Sequence, residues 1–116
     1  MQIDALRILP ERISNTSISP HEVVLPEAEA LQAIDIFEER GIHILGWEGW
    51  VKALDGSVGH GSAPQGTVSL EELSVSAAAK LCRETIPIDA AKWRDENPAS
   101  TEKLHFCITV RTQLPK

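Results

Sequence analysis

The feature that most restricts the fold of this chain is the placement of glycine, because all seven glycines lie within residues 41–66. Glycine takes backbone conformations with positive φ, allows close approach of neighbouring backbone, and weakens the interior of helices. We therefore predict that residues 41–66 form turn-rich β structure, in which the backbone lies close to other parts of the molecule.

The segment before the glycines predicts a helix from about Pro26 to Arg40. Its apolar side chains recur at helical spacing, at Ala30, Leu31, Ile34 and Phe37. Proline suits the first helical position because its missing N–H needs no partner there. Gly41 suits the position just after the last turn, where a left-handed conformation is common.

A second long helix is predicted to begin near Ser74 or Ser76 and to run toward Asn97. One of its faces carries apolar residues at steps of three or four, namely Ala78, Cys82, Ile86, Ala90 and Trp93. Pro87 falls inside this helix, where it removes a hydrogen bond and clashes with the preceding turn. The helix is therefore expected to be kinked there or split in two.

Strands are predicted on both sides of the second helix. Short apolar runs predict strands at residues 23–25, 42–45 and 47–54. Residues 103–112 alternate apolar and polar side chains, as in a strand covered on one face. Asp55-Gly56 predicts a type I′ hairpin turn that returns residues 57–60 alongside residues 50–52.

This order of elements predicts an α+β fold, with a mainly antiparallel three- to four-stranded sheet and two main helices packed on one face. The length of 116 residues suits a single domain spanning residues 1–116. A chain of this length can bury a core without help from a disulfide or a metal.

Charge and hydropathy exclude several classes of protein. The chain has 17 acidic and 11 basic residues, a formal charge of −6, which argues against a surface that binds nucleic-acid phosphates. No apolar run reaches the roughly 18 residues that span a membrane, and the first residues lack a basic secretory segment. We therefore expect a cytoplasmic protein without nucleic-acid or membrane partners, in which Cys82 and Cys107 are reduced and structural.

Acidic residues are concentrated in the first part of the chain. Residues 1–73 hold 12 acids and four bases, and residues 22–39 hold six acids and no base. Such a cluster is either a solvated helix face or an electrostatic surface for a basic partner. The sequence leaves both interpretations open.

Patterns for catalysis and metal binding are incomplete. Asp55, His60 and Ser62 supply the residue types of a hydrolase triad, but no Gly-x-Ser-x-Gly motif holds the serine. The residues that could bind a metal are His43, His60, His105 and Cys107. None of them has the short ligand spacing of a zinc site. We therefore expect neither an enzyme nor a bound metal or other cofactor.

Three tryptophans occur in a chain that has no tyrosine. Trp93 lies on the apolar face of the second helix and is predicted to be in the core. Trp47 and Trp50 flank Glu48 in an extended segment, where residues three apart point to opposite faces of a regular sheet. Either both pack in the core through a bulge at Gly49, or one is free to contact a partner.

The segment from Glu22 to Gly46, the Trp-Glu-Gly-Trp sequence that follows and the turn at residues 55–56 resemble a family of bacterial immunity proteins, immunity protein forty. The matching features are Ala-Leu-x-Ala-Ile-Asp at residues 30–35, Gly41, and Ile-x-Ile-Leu-Gly at residues 42–46. Such proteins are encoded beside toxins of polymorphic and contact-dependent systems. The resemblance implies a small cytoplasmic α+β protein that binds one cognate toxin and blocks its active site or an adjacent surface.

We therefore predict an immunity protein that neutralises a cognate toxin through a partly acidic surface. The predicted partner-binding residues are Asp35, Glu38, Glu39, Trp47, Glu48 and Trp50. An acidic surface could occupy the basic cleft of a nuclease-type toxin. One alternative is a small ligand-binding or enzymatic domain that uses the Gly59–Gly66 loop and His60. Another is an accessory domain that scaffolds an assembly through an exposed tryptophan.

Overall fold

The computed structural model describes residues 3–112. Its helices are α1 (Ala5–Ile8), α2 (Glu11–Ser14), α3 (Glu27–Glu39) and α4 (Val75–Glu96). Its strands are β1 (Val23–Leu25), β2 (Ile44–Lys52), β3 (Val58–Gly59) and β4 (Lys103–Val110). The strands form one sheet in the order β1-β4-β2-β3, and every pairing is antiparallel. The predicted α+β fold with a four-stranded antiparallel sheet is confirmed.

The core lies between the sheet and the two long helices. Phe106 and Ile108 of β4 point to this side and join α3 residues such as Phe37 and α4 residues such as Ile86 in one buried cluster. The alternation of apolar residues in β4 thus selects the face that the helices cover. We call it the helix-covered face, and the opposite side of the sheet the open face.

Helix α3 ends as the sequence predicts. Gly41 has a φ of +70°, and its N–H donates to the carbonyl of Glu38 at 3.0 Å. The N–H of Ile42 donates to the carbonyl of Phe37 at 2.8 Å. These two bonds form a Schellman motif, which satisfies the last carbonyls of the helix and turns the chain toward β2.

Helix α4 runs without a break through Pro87, so the split that the sequence allowed does not occur. Ser74 caps its start, because the Ser74 Oγ accepts a hydrogen bond from the N–H of Ala77 at 3.0 Å. Ile86 and Ala90, on either side of the proline, are fully buried. Their packing against the core offsets the one hydrogen bond that proline removes.

A bulge decides which residues of β2 face the core. The register against β4 shifts between Ile44 and Gly46, so two residues three apart, Ile44 and Trp47, are both buried on the helix-covered face. A bulge adds one residue to the strand and restores the alternation one position later. The bulge therefore lies at Gly46 instead of Gly49, and Trp47 and Trp50 point to opposite faces.

The hairpin after β2 has the predicted pairing but a different turn. Val51 pairs with Gly59 and Lys52 pairs with Val58. Gly56 alone has positive φ, at +89°, whereas a type I′ turn needs positive φ at Asp55 as well. The loop is a longer one, in which glycine takes the left-handed position after a turn.

Residues 60–70, which we call the edge segment, run along the outer edge of β2. The N–H of Gly49 donates to the carbonyl of Pro64, and the N–H of Thr67 donates to the carbonyl of Trp47. A Cβ on Gly66 would lie 1.8 Å from the Trp47 carbonyl oxygen, and one on Gly49 would lie 2.6 Å from the Pro64 oxygen. The close backbone approach predicted for the glycine-rich stretch is confirmed at these two positions.

No helix within residues 3–112 combines the length and apolarity needed to cross a membrane.

Candidate functional site

The residues predicted to bind a partner separate into three places. Asp35, Glu38 and Glu39 lie on α3, on the helix side of the molecule. Trp47 lies inside the core, and Glu48 and Trp50 lie on the open face of β2. The acidic helix and the open face are on opposite sides of the sheet. The structure therefore does not join the six residues into one surface.

Trp47 is a core residue with 2% of its surface exposed. Its ring meets Phe106 edge to face, with centroids 5.3 Å apart and an interplanar angle of 67°. Its Nε1 donates to Thr85 Oγ1 of α4 at 2.9 Å. An indole that packs against an aromatic ring and satisfies its N–H is well suited to a core, and Trp47 offers no surface to a partner.

Three rows of cross-strand pairs on the open face between β2 and β4 carry a side chain on both strands. Glu48 pairs with Cys107, Trp50 pairs with His105, and Lys52 pairs with Lys103. The first row ends in a carboxylate, the middle row is aromatic, and the third row holds two lysines. The two long helices leave this face uncovered.

Trp50 occupies the centre of the open face and is half-buried. Its Nε1 donates to Glu48 Oε1 at 3.3 Å. The ring of His60 stands edge-on to it, with centroids 5.5 Å apart and an interplanar angle of 71°. His60 Nδ1 lies 3.2 Å from the Gly49 carbonyl oxygen, which fixes the imidazole. Trp50 is thus held from two sides on a central strand.

His105 and Cys107 also lie on the open face, but both are buried, so they are not exposed reactive groups. Burial, together with the nearby charges of Lys52 and Lys103, lowers the pKa of His105 below its ordinary value. The Cys107 thiol donates to Glu22 Oε2 at 3.4 Å. Burial and this carboxylate raise the pKa of Cys107 to about 12, so the thiol stays protonated at neutral pH.

Three of the six acids in residues 22–39 pair with bases of α4. Arg83 Nε donates to Asp35 Oδ1 at 3.0 Å, and a second guanidinium nitrogen bonds Glu38. Arg94 bonds Glu27 in the same way. The hydrogen bond from Arg83 lowers the pKa of Glu38. These carboxylates connect the two helices, which weakens the interpretation of α3 as a free acidic surface.

Glu39 is the exception within the predicted acidic set. It is exposed, and no salt bridge among residues 3–112 includes it. The pairing of α3 acids with α4 bases could not be predicted locally, because Arg83 lies 48 residues after Asp35. A helical wheel shows which acids of α3 share a face and which bases of α4 do. It does not show that these two faces meet, because that depends on how the helices pack.

The candidate hydrolase triad is not assembled. Asp55 accepts hydrogen bonds from the N–H and the hydroxyl of Ser57. His60 contacts Trp50, while Ser62 Oγ accepts a hydrogen bond from Trp93 Nε1 at 2.9 Å. Each residue therefore bonds a different neighbour, and His60 and Ser62 make no hydrogen bond to one another.

The residues that could bind a metal do not come together in the described part of the chain. Residues 3–112 contain no group of three or more histidine, cysteine or acidic side chains positioned to hold a metal ion. His43 Nε2 instead lies 3.0 Å from the Leu70 carbonyl oxygen. A cleft of about 330 Å³ separates residues 62–66 from α4, but His60 does not line it.

No family model, curated protein or solved structure matches this chain. The resemblance to immunity proteins therefore rests on the residues between Glu22 and Gly56 that carry it.

Proposed function

We propose that this chain is a bacterial immunity protein that binds and neutralises a cognate toxin, and that it does so through the open face of its sheet. The observation that carries this proposal is the position of Trp50, half-buried at the centre of a face that the long helices leave uncovered. The sequence resemblance supplies the kind of partner. The compartment that such a function requires is the cytoplasm, where the toxin would act.

The setting of Trp50 suits a binding surface better than a ligand pocket. Interfaces commonly have an aromatic centre surrounded by polar and charged residues. Trp50 has Glu48 on one side along β2 and Lys52 on the other, and His60 packs against its ring. Because its neighbours already fix the indole, little conformational freedom would be lost when a partner covers it.

The acidic share of this surface is contributed by Glu48, with Glu22 beside it. Asp35 and Glu38 are engaged by Arg83, so a partner that used them would have to compete with that ion pair. Glu39 remains available for an acidic contact on the helix side. The proposed toxin-binding surface is therefore mixed in charge, and only partly acidic.

The proposal is tested by co-expressing the chain with the toxin domain encoded beside its gene and measuring growth and the dissociation constant of the complex. The wild-type chain should restore growth. Trp50→Ala should weaken binding about thirtyfold or more, as expected for an aromatic hot spot. The matched control is Ile88→Ala, which removes a 66% exposed apolar side chain from α4 on the helix side and should bind normally.

Two results would contradict the proposal in different ways. If the wild-type chain neither protects cells nor binds the toxin domain, the immunity function is wrong. If it protects and Trp50→Ala binds as tightly as wild type, the function stands and the surface is wrong. Glu39→Lys distinguishes the acidic helix in that second case, since only a partner on α3 would respond to it.

A further inference from the structure

The third row of the open face places two positive charges directly opposite each other. Lys52 of β2 pairs with Lys103 of β4, and both side chains are exposed. No salt bridge among residues 3–112 includes either lysine. Like charges in a directly opposed cross-strand pair destabilise a sheet. This arrangement therefore carries a small cost in the isolated protein.

A shortage of acids does not explain the unpaired lysines. The chain has 17 acidic residues for 11 basic ones, and the bases of α4 all bond carboxylates. The α4 bases with acidic partners are Lys80, Arg83, Lys92 and Arg94. Helix α4 thus pairs all four of its bases, whereas the open face leaves two lysines together beside Trp50.

We infer that the open face docks an acidic segment of a protein partner, with a carboxylate bound between Lys52 and Lys103 and an apolar side chain on Trp50. This inference rests on the proposed function only for the statement that the open face binds a protein. A carboxylate between the two ammonium groups would replace their repulsion by two charge-assisted hydrogen bonds. Val58, which pairs with Lys52 and is 46% exposed, extends the apolar contact area toward the hairpin.

The distribution of charge along β2 favours protein carboxylates over the phosphates of a nucleic acid. Glu48 lies four residues from Lys52 on the same face, a distance of about 13 Å at the rise of a β-strand. A continuous polyanion long enough to cover both rows would place phosphates against Glu48, Glu22 and the net charge of −6. A protein segment can present a carboxylate at one row and a neutral or basic group at the other.

The test uses probes that do not depend on a toxin. A capped decapeptide of serine and glycine that carries one Leu and one Asp two positions apart, so that both lie on one face of an extended strand, is titrated into the full chain, and amide and indole chemical shifts are followed by NMR. Shifts should centre on Lys52, Lys103 and the Trp50 indole, and added salt should weaken them. A matched Lys/Leu decapeptide and a ten-nucleotide single-stranded DNA should bind at least about tenfold more weakly.

Charge-reversal variants complete the experiment. K52E/K103E should lose acidic-peptide binding about tenfold or more, and K80E/K92E, which alters two bases of α4, should keep it. The dispersion of the amide spectrum shows whether charge reversal disturbs the fold. If it does, the neutral variant K52A/K103A is compared with wild type in the same peptide titration.

The inference is overturned by any of three results. These are no shift at millimolar acidic peptide, equal binding of the acidic peptide by K52E/K103E and wild type, and tighter binding of DNA than of the acidic peptide at the same lysines. Each is independent of the growth assay. If the chain protects cells but fails the peptide test, the proposed function stands and the inference is wrong. If it binds the acidic peptide but does not protect cells, the inference stands and the proposed function is wrong.

Discussion

Trp47 and Trp50 lie three residues apart on one strand and have different roles. Trp47 is 2% exposed, with its Nε1 bonded to α4, whereas Trp50 is half-buried and bonded only to groups of the open face. The same side chain thus serves the core on one face and a surface on the other. The bulge at Gly46 and the register against β4 determine which tryptophan points to the core and which to the open face. Neither feature depends on the properties of tryptophan itself.

The largest effect should come from truncating the two tryptophans. Trp47→Ala removes a buried ring, its edge-to-face contact with Phe106 and the hydrogen bond to Thr85, so the free energy of unfolding should fall by about 3–5 kcal/mol. Trp50→Ala should cost about 1–2 kcal/mol, because the ring is only half-buried and loses mainly its contact with His60. Urea unfolding of both variants measures the difference, and equal losses would refute the division between the two faces.

The next effect concerns how the edge segment is held against the backbone of Trp47. Gly66→Ala introduces a Cβ that would lie 1.8 Å from the Trp47 carbonyl oxygen, at a residue with a φ of +91°. Gly56→Ala is a matched control, because its φ is +89° and nothing lies within 4 Å of the new Cβ. Both variants have the cost of positive φ, about 1 kcal/mol, and Gly66→Ala should lose about 2 kcal/mol more.

Thermal and urea unfolding of these two glycine variants, measured together, check that prediction. If they were equally stable, the close approach of Gly66 to β2 would contribute nothing, and only the conformational requirement of glycine would remain. A shift of amide signals confined to β2 and residues 60–70 in Gly66→Ala would locate the disturbance at the edge.

The smallest effect is a pH dependence that belongs to the open face. The folded state lowers the pKa of His105 below its ordinary value of 6.5, first by burial and then through Lys52 and Lys103. Neutral His105 therefore favours folding. Its contribution is complete above about pH 6.5 and is lost as the pH falls through that value toward the folded pKa. Unfolding free energies from pH 7 to 5 should decline in wild type and decline less in His105→Gln.

The pH range of this measurement distinguishes the contribution of His105 to stability from the contributions of the carboxylates. The folded state lowers the pKa of Glu38 and of Asp55 from ordinary values of 4.5 and 3.8, so their stabilisation is lost only at more acidic pH. NMR titration of the His105 ring should give a midpoint below 6.5 that rises in Lys52→Met. An unchanged midpoint would show that the charge of Lys52 has no influence on His105 in the neighbouring row.

Elements with local signals were predictable from the sequence. The helix expected at residues 26–40 is α3, the helix expected between about Ser74 and Asn97 is α4, and the alternating strand is β4. In each case apolar periodicity, a capping residue or alternation lies within a few residues of the element it predicts. The alternation along β4 also places His105 and Cys107 on one face, the open face.

Features that depend on distant residues were not predictable. The bulge at Gly46 is defined only by register against β4, some 60 residues later in the chain. The ion pairs of Asp35 and Glu38 require Arg83 of another helix. The Lys52–Lys103 pair likewise needs the alignment of two strands that α4 separates in sequence. Local patterns fix which residues share a face, while the neighbour across the sheet is set by tertiary packing.

The edge segment along the outer edge of β2 also affects self-association of this protein. An uncovered strand edge offers rows of N–H and C=O groups to which a second chain can add as an extra strand. Strand β3 pairs with only two residues of β2, and the edge segment bonds the backbone at Leu45, Trp47 and Gly49. Those donors and acceptors are therefore unavailable for intermolecular strand addition, so the part of β2 that β3 leaves unpaired is no template for self-association.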